Sequence, residues 1–238
     1  MRRYSHYSFD LWMTLIRSNP SYKTQRSAYL FEKTNFTGKT REEVLEIFKK
    51  VDLMANAINE RTGGHIPAEE LYLWVIGWIN DGDERIIKTI DFSSVYRDME
   101  EIFLSHPPVL YAEDTLGALE NIRREASDSS FSILSNTAFI KGRTLRKVFP
   151  GLGLEGFFDF ALYSDEAGMS KPNTALFRLM LDTVAVNKGV ADPKGVLHIG
   201  DNPVADEEGA RTAGIDAWLV NSNGRHISSL LESSILCT

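Results

Sequence analysis

Five side chains stand where they could act together on an anionic substrate. Asp10 follows the stretch YSF, Ser135 ends the stretch SFSILS, and Asp201 follows GVLHIG. Asp206 comes five residues after Asp201, and Lys171 lies in the segment GMSKPN. Two facing carboxylates repel each other unless a cation lies between them, and Mg²⁺ with oxygen ligands would serve. A lysine and a hydroxyl could then hold a phosphoryl group that a carboxylate attacks.

The stretches that precede these residues have the pattern of buried strands, with helical patterns between them. The predicted strands are residues 7–16, 130–136, 157–164, 195–201 and 216–221, and the predicted helices are residues 113–126, 171–186 and 204–215. Alternating strands and helices predict an α/β fold, a parallel sheet with helices on both faces. Ligands of such sheets bind beyond the carboxyl ends of the strands, where the five candidate side chains are expected.

Residues from about 18 to 106 have a different pattern. The segment KTREEVLEIFKKVDLMANAINERTGG has apolar residues at helical spacing and ends at a Gly-Gly pair, and PAEELYLWVIGWIND predicts a further helix. The sequence therefore predicts an α/β core domain formed by residues 1–17 and 107–238. An all-helical cap domain, residues 18–106, is inserted after the first strand.

Composition limits the possible partners and compartments. A net charge of −7 disfavours a nucleic-acid partner, and no apolar run reaches the roughly 20 residues of a membrane span. Cys237 is the single cysteine, so an intramolecular disulfide and a cysteine zinc cluster are excluded. The first residues have no apolar segment typical of a signal peptide. We therefore expect a cytoplasmic protein without nucleic-acid or membrane partners.

Four short motifs together carry a family resemblance. FDLWMTL, ILSN, SKPN and GDNPVAD occur in this order, and their key residues span positions 10 to 206. In this respect the chain resembles the haloacid dehalogenase-like (HAD) hydrolase superfamily. The resemblance implies a Rossmann-like core with a helical cap between the first and second motifs. It also implies Mg²⁺ as cofactor and a small phosphorylated molecule as substrate.

The resemblance implies a metal site at the first and fourth motifs. Asp10 would be the nucleophile that forms an aspartyl-phosphate. The carboxylates of Asp10 and Asp201 and the backbone carbonyl of Trp12 would bind Mg²⁺. Asp206 would support this site from behind.

The resemblance likewise implies which residues hold the phosphoryl group. Ser135, Asn136 and Lys171 would contact it, with Ser135 and Lys171 also counted among the catalytic residues. Thr14 would brace the loop after the first strand, and Trp12 is predicted to form a wall of the substrate pocket.

Trp12 is also where the chain departs from the family pattern. In the phosphatases of the family this position usually holds a second aspartate, which protonates the leaving oxygen and then activates water. The indole of tryptophan is only a hydrogen-bond donor and can do neither. Loss of a positioned general acid/base typically costs about 10²–10⁴-fold in rate. The predicted cap offers His65, Glu69 and Glu70 as possible replacements.

Four activities are compatible with this departure. The protein could be a phosphatase, could transfer the phosphoryl group from a slowly hydrolysed aspartyl-phosphate, or could bind metal and phosphate without turnover. An aromatic residue at this position also occurs in the family's 2-haloacid dehalogenases, where the aspartate attacks carbon. Asp201 argues against a dehalogenase, because an extra carboxylate would repel a haloacid. Phe177 also stands where those enzymes have a tyrosine.

Overall fold

The computed structural model describes residues 4–189 and 192–232, so Cys237 lies outside the described residues. Its strands, in chain order, are β1 (His6–Phe9), β2 (Ile16–Arg17), β3 (Val109–Leu110), β4 (Ser130–Ser135), β5 (Phe160–Tyr163), β6 (Val196–Gly200) and β7 (Asp216–Leu219). Five of them form one sheet in the order β5-β4-β1-β6-β7, with every neighbouring pair parallel. The predicted α/β fold class is confirmed.

The register of the sheet explains why distant motifs meet. Phe9, the last residue of β1, lies opposite Ile133 on β4 and Ile199 on β6. The carboxyl ends of these three strands therefore lie at one edge of the sheet. All residues of β1, β4 and β6 are buried, as expected for central strands covered on both faces.

The first strand is shorter than predicted. Residues 7–16 were expected to form one strand, but β1 ends at Phe9 and the chain then turns. The amides of Leu15 and Ile16 both donate to the carbonyl of Leu11, and Met13 adopts a φ of 59° at the turn. Leu11, Leu15 and Ile16 are fully buried on either side of this tight turn, and an apolar run alone does not distinguish such a turn from a strand. The turn leads into β2, which pairs antiparallel with β3.

The predicted helices 113–126 and 171–186 have counterparts in the structure, whereas the helices Gly142–Leu152 and Ser164–Ala167 were not predicted. In chain order, the helices are α1 (Pro20–Thr34), α2 (Arg41–Thr62), α3 (Ala68–Ile79), α4 (Glu84–Ile87), α5 (Phe92–Ser105), α6 (Thr115–Glu125), α7 (Gly142–Leu152), α8 (Ser164–Ala167), α9 (Thr174–Lys188), α10 (Gly209–Thr212) and α11 (Ser229–Glu232). The predicted helix 204–215 is instead a π-helical turn, Pro203–Glu208, followed by the short α10. The turn widens because the amides of Asp206 and Glu207 both donate to the carbonyl of Asn202.

Helices α1, α2, α3 and α5 supply most of an apolar cluster distinct from the one around the sheet, although Tyr22 and Phe103 of these helices pack with the sheet. Leu71, Val75 and Met99 lie in the helical set, whereas Phe9 and Ile133 lie in the set at the sheet. This separation is in keeping with the predicted core of residues 1–17 and 107–238 and cap of residues 18–106, which remains a prediction. Among the described residues, none of the helices combines the length and apolarity needed to cross a bilayer.

The C-terminal end of α2 is attached to the segment that carries Lys171. Gly63 ends the helix in the left-handed region, with φ 68°, and its amide donates to Asn59. Its carbonyl accepts hydrogen bonds from the amide of Ser170 and from Asn173 Nδ2. These contacts hold one face of α2 over the strand ends.

Candidate active site

Asp10 lies directly after β1 and is 6% exposed. Its amide donates to the carbonyl of Ile199, which continues the pairing of β1 with β6 by one residue. Its Oδ1 accepts hydrogen bonds from Ser135 Oγ at 3.0 Å and from Lys171 Nζ at 2.8 Å. Asp10, Ser135 and Lys171, which the sequence predicted to lie close together, therefore meet at one carboxylate oxygen of Asp10.

Lys171 is 1% exposed, and all three of its ammonium donors are used. Besides Asp10, Nζ donates to Asp206 Oδ1 at 2.6 Å and to the carbonyl of Leu134 at 2.7 Å. Burial lowers the pKa of Lys171, but the two carboxylates outweigh burial and raise it, so the ammonium stays charged. Asn136 fixes the backbone of Lys171 through two hydrogen bonds, of 2.8 and 2.9 Å.

Asp10, Asp201 and Asp206 form a carboxylate cluster. One oxygen of each lies within 4.8 Å of the others. Burial, followed by the charges of Asp10 and Asp206, raises the pKa of Asp201 to about 7. Burial also raises the pKa of Asp10, against the opposing charge of Lys171. Hard oxygen donors at this spacing fit Mg²⁺, whose charge would relieve the repulsion.

Asp206 is the most deeply buried member of this cluster. Burial raises its pKa, but the charge of Lys171 and the hydrogen bond from His198 outweigh burial and hold the pKa below its usual range. Its Oδ2 accepts the amide of Asn202 at 2.9 Å, which orders the turn after Asp201. A Cβ added to Gly200 would lie 2.2 Å from the Asp206 carboxyl carbon, so the close approach requires glycine there.

The loop after Asp10 is held from two sides. Asn221 Nδ2 donates to the carbonyls of Met13, at 2.7 Å, and Thr14, at 3.2 Å. The Thr14 hydroxyl donates to Asp201 Oδ1 over a long 3.4 Å. Trp12 is partly buried, and its ring lies 6.3 Å from the ring of Phe103.

A cavity of about 700 Å³ opens above the carboxylate cluster. On the sheet side it is lined by Asp10, Trp12, Asn136, Lys171 and Asp201. On the opposite side α1 and α2 contribute Tyr22, Lys23, Arg26, Asp52, Asn59 and Glu60. Its volume is within the range of pockets that bind small molecules.

The acids predicted to replace the missing aspartate do not line this cavity. His65 Nδ1 is paired with Ser164 Oγ at 3.1 Å, and Glu69 pairs with Lys141. Glu70 also lies outside the cavity lining. The cavity lining thus gives these three candidates no support, and their role in proton transfer stays an untested prediction.

Three carboxylates on α2 line the cavity instead, and the sequence prediction missed them. Glu46 and Asp52 lie along the helix, and Glu60 lies near its end. Glu60 Oε1 accepts a 2.6 Å hydrogen bond from Asn202 Nδ2, next to Asp201. The signal in the sequence was a polar stripe at helical spacing along α2, opposite the apolar stripe that predicts the helix.

Comparisons with known proteins give a consistent picture. A family profile described as HAD-hydrolase-like matches residues 168–235. The haloacid dehalogenase-like hydrolase domain-containing protein 3 of Mus musculus is 36% identical over 93 residues, 39% of this chain and 35% of that protein. A phosphoserine phosphatase of Thermus thermophilus is 42% identical over 75 residues, 31% of this chain and 28% of that protein.

The sequence matches thus cover about a third of the length of these curated relatives. A solved structure shares the fold over nearly the whole chain. The magnesium-bound HAD-hydrolase YfnB of Bacillus subtilis superposes with a TM-score of 0.69 and 18% identity, covering 94% of this chain and 92% of that one. Residues 168–235 are thus similar in sequence to HAD-like hydrolases, and the fold of the chain is similar to that of the HAD-hydrolase YfnB.

Proposed function

We propose that this protein is a Mg²⁺-dependent phosphatase that acts on a small phosphorylated molecule through an aspartyl-phosphate at Asp10. The observation that carries the proposal is the arrangement at Asp10. Ser135 and Lys171 both donate to Oδ1, and among the described residues no donor contacts Oδ2. One oxygen is thus held in place while the other remains available as a nucleophile.

The two chemical steps follow from this arrangement. Asp10 Oδ2 forms a bond to phosphorus while the bond to the leaving oxygen breaks, and that oxygen takes the electron pair and a proton. Water then attacks phosphorus, which releases phosphate and restores the Asp10 carboxylate. Mg²⁺ held by Asp10, Asp201 and the carbonyl of Trp12 would neutralise charge on the phosphoryl oxygens. Lys171 and Ser135 hold the Asp10 carboxylate through Oδ1, and the charge of Lys171 favours an anionic group beside it.

Proton transfer needs a group other than Trp12, and we assign it to Glu60. Glu60 lines the same cavity as Asp10, and its hydrogen bond from Asn202 holds it beside Asp201. As an acid it protonates the leaving oxygen, and as a carboxylate it then accepts a proton from the attacking water. The side-chain carbonyl of Asn202 accepts the amides of Val204 and Ala205, which leaves its amide group directed to Glu60.

A second candidate is a module that binds metal and phosphate without turnover, favoured by Trp12 in place of an acid. Phosphotransfer from a slowly hydrolysed aspartyl-phosphate is an intermediate case. The close approach of Asp201 to Asp10 argues against a 2-haloacid dehalogenase, because the substrate carboxylate would meet a third acid.

The test compares the wild type with Asp10→Asn in phosphate release from a phosphate monoester with Mg²⁺. We expect loss of turnover in the variant with an unchanged circular dichroism spectrum. Asp128→Asn, at an exposed carboxylate, is the matched control and should keep full turnover. Equal rates for the wild type and Asp10→Asn would reject Asp10 as the nucleophile.

A further inference from the structure

Arg26 occupies the cavity wall opposite the carboxylate cluster. Its guanidinium carbon lies 3.5 Å from the ring centre of Phe48 and 5.3 Å from that of Tyr22. Phe48 is itself fixed, since its ring centre lies 4.4 Å from that of Phe139. The aromatic contacts hold the face of the guanidinium and leave its N–H edge for another partner.

The guanidinium is near the Tyr22 hydroxyl and the Asp52 carboxylate, but these do not satisfy its whole N–H edge. The Nε of Arg26 is buried and has no hydrogen-bond partner among the described residues, and Arg26 forms no ion pair with any of them. Asn59, which is 4% exposed and lines the same cavity, also has an unpartnered oxygen, Oδ1. Buried polar groups without partners are costly, so a cavity that leaves them open favours a polar ligand.

Two aromatic side chains, Trp12 and Tyr22, give an apolar surface to the cavity that Asp10 and Arg26 also line. Both rings pack against the buried ring of Phe103, Trp12 at 6.3 Å and Tyr22 at 5.3 Å. Tyr22 and Arg26 are four residues apart on α1, so both side chains lie on the same helix face. A substrate whose phosphate lies at Asp10 would extend along this surface towards Arg26.

We propose that Arg26 binds a carboxylate on the far end of the substrate, which makes the substrate class small phosphorylated carboxylic acids with an apolar middle. This inference rests on the proposed function. The planar edge of a guanidinium matches a carboxylate with two parallel hydrogen bonds. Asp52, on the facing helix, contributes a negative charge near Arg26, which favours a singly charged carboxylate over a second, doubly charged phosphate. Trp12 then serves as the apolar wall between the two anionic ends.

The test uses two substrates that differ by one group, phenyl phosphate and 4-carboxyphenyl phosphate. The measured quantity is the ratio of kcat/KM for the carboxylated over the plain ester, so differences in leaving group cancel between variants. We expect wild type to prefer the carboxylated ester and Arg26→Gln to lower the ratio by about 10- to 100-fold. Arg26→Lys, which keeps the charge without the planar fork, should recover part of the loss. Lys33→Gln, at an exposed lysine of α1, is the matched control and should keep the wild-type ratio.

A binding measurement separates this inference from the proposed function. Calorimetric titration of both esters into Asp10→Asn, and into Asp10→Asn with Arg26→Gln, needs no turnover. If the carboxylated ester binds more tightly than the plain ester and Arg26→Gln removes this difference, the inference is supported. Absence of hydrolysis of both esters by wild type would reject the phosphatase proposal but would leave this binding result valid. Equal affinity for the two esters, or a ratio unchanged by Arg26→Gln, overturns the inference and leaves the phosphatase proposal standing if turnover is seen.

Discussion

Lys171 donates a 2.8 Å hydrogen bond to Asp10 from a position that is almost completely buried. The same ammonium contacts Asp206 at 2.6 Å, so one positive charge is shared by two buried carboxylates. Asp201 is the carboxylate of the cluster without a lysine contact, and its pKa is raised to about 7. Lys171 neutralises only part of the negative charge of the three carboxylates, and a cation bound at Asp10 and Asp201 would neutralise the rest.

Replacing Lys171 should therefore affect both stability and turnover. Lys171→Met leaves Asp10 and Asp206 buried without their counter-charge, and breaking a buried pair in this way costs about 3–5 kcal/mol. We expect this loss in the free energy of unfolding measured with urea, together with loss of turnover. Lys50→Met, at an exposed lysine of α2, is the control. Equal stability of the two variants would mean that the buried contact contributes little.

Asp201 should determine metal affinity. Asp201→Ala removes one of the proposed carboxylate ligands, and we expect Mg²⁺ affinity to fall at least about tenfold in calorimetric titration. Glu207→Ala changes a nearby acid that pairs with Arg211 and should bind Mg²⁺ like wild type. Unaltered affinity in Asp201→Ala would remove Asp201 from the metal site.

Glu60 should carry the acid and base steps that Trp12 does not. We expect Glu60→Gln to lower kcat by about 10²–10⁴-fold for an alkyl phosphate, whose poor leaving group needs a proton. Trp12→Asp in the Glu60→Gln background should restore part of the rate, because it returns a carboxylate to the nucleophile loop. Glu46→Gln, on the same helix and cavity, serves as the comparison. A loss in Glu46→Gln as large as in Glu60→Gln would argue against a specific role for Glu60.

His65 should make stability depend on pH. Burial holds its pKa below the usual 6.5, so the folded state favours the neutral imidazole bonded to Ser164. The stabilisation is therefore present above the unfolded pKa and is lost as the pH falls through the folded pKa. His65→Gln should flatten the decline in the free energy of unfolding between about pH 7 and pH 5. The decline should persist in His226→Gln, and its persistence in His65→Gln would show that another group is responsible.

The position of the carboxylate cluster could be predicted because it depends on strand ends. Asp10, Ser135 and Asp201 each follow or end a buried strand, and parallel strands bring their carboxyl ends to one edge. Residues that depend on packing between elements could not be predicted in this way. Gly200 is needed only because Asp206 folds back against it, and that contact is decided by the π-helical turn.

The helical side of the cavity was the hardest part to predict. The apolar stripe of α2 indicates that the helix packs but not which polar residues face the strand ends. That depends on how the Gly63 carbonyl meets Ser170 and Asn173, a contact between residues far apart in the chain. Near this contact Glu60 lines the cavity, whereas His65, two residues after Gly63, pairs with Ser164.

The most direct test of the account is a time course of nitrophenolate release from para-nitrophenyl phosphate, at enzyme concentrations high enough to detect a single turnover. This leaving group needs little protonation, so Trp12 should hinder the first step least. The account predicts steady release that stops when Mg²⁺ is chelated and is absent in Asp10→Asn. A burst of one equivalent followed by silence would contradict hydrolysis and indicate a trapped aspartyl-phosphate. Absence of nitrophenolate release, or release that continues after Mg²⁺ is chelated, would contradict the proposed Mg²⁺-dependent phosphatase.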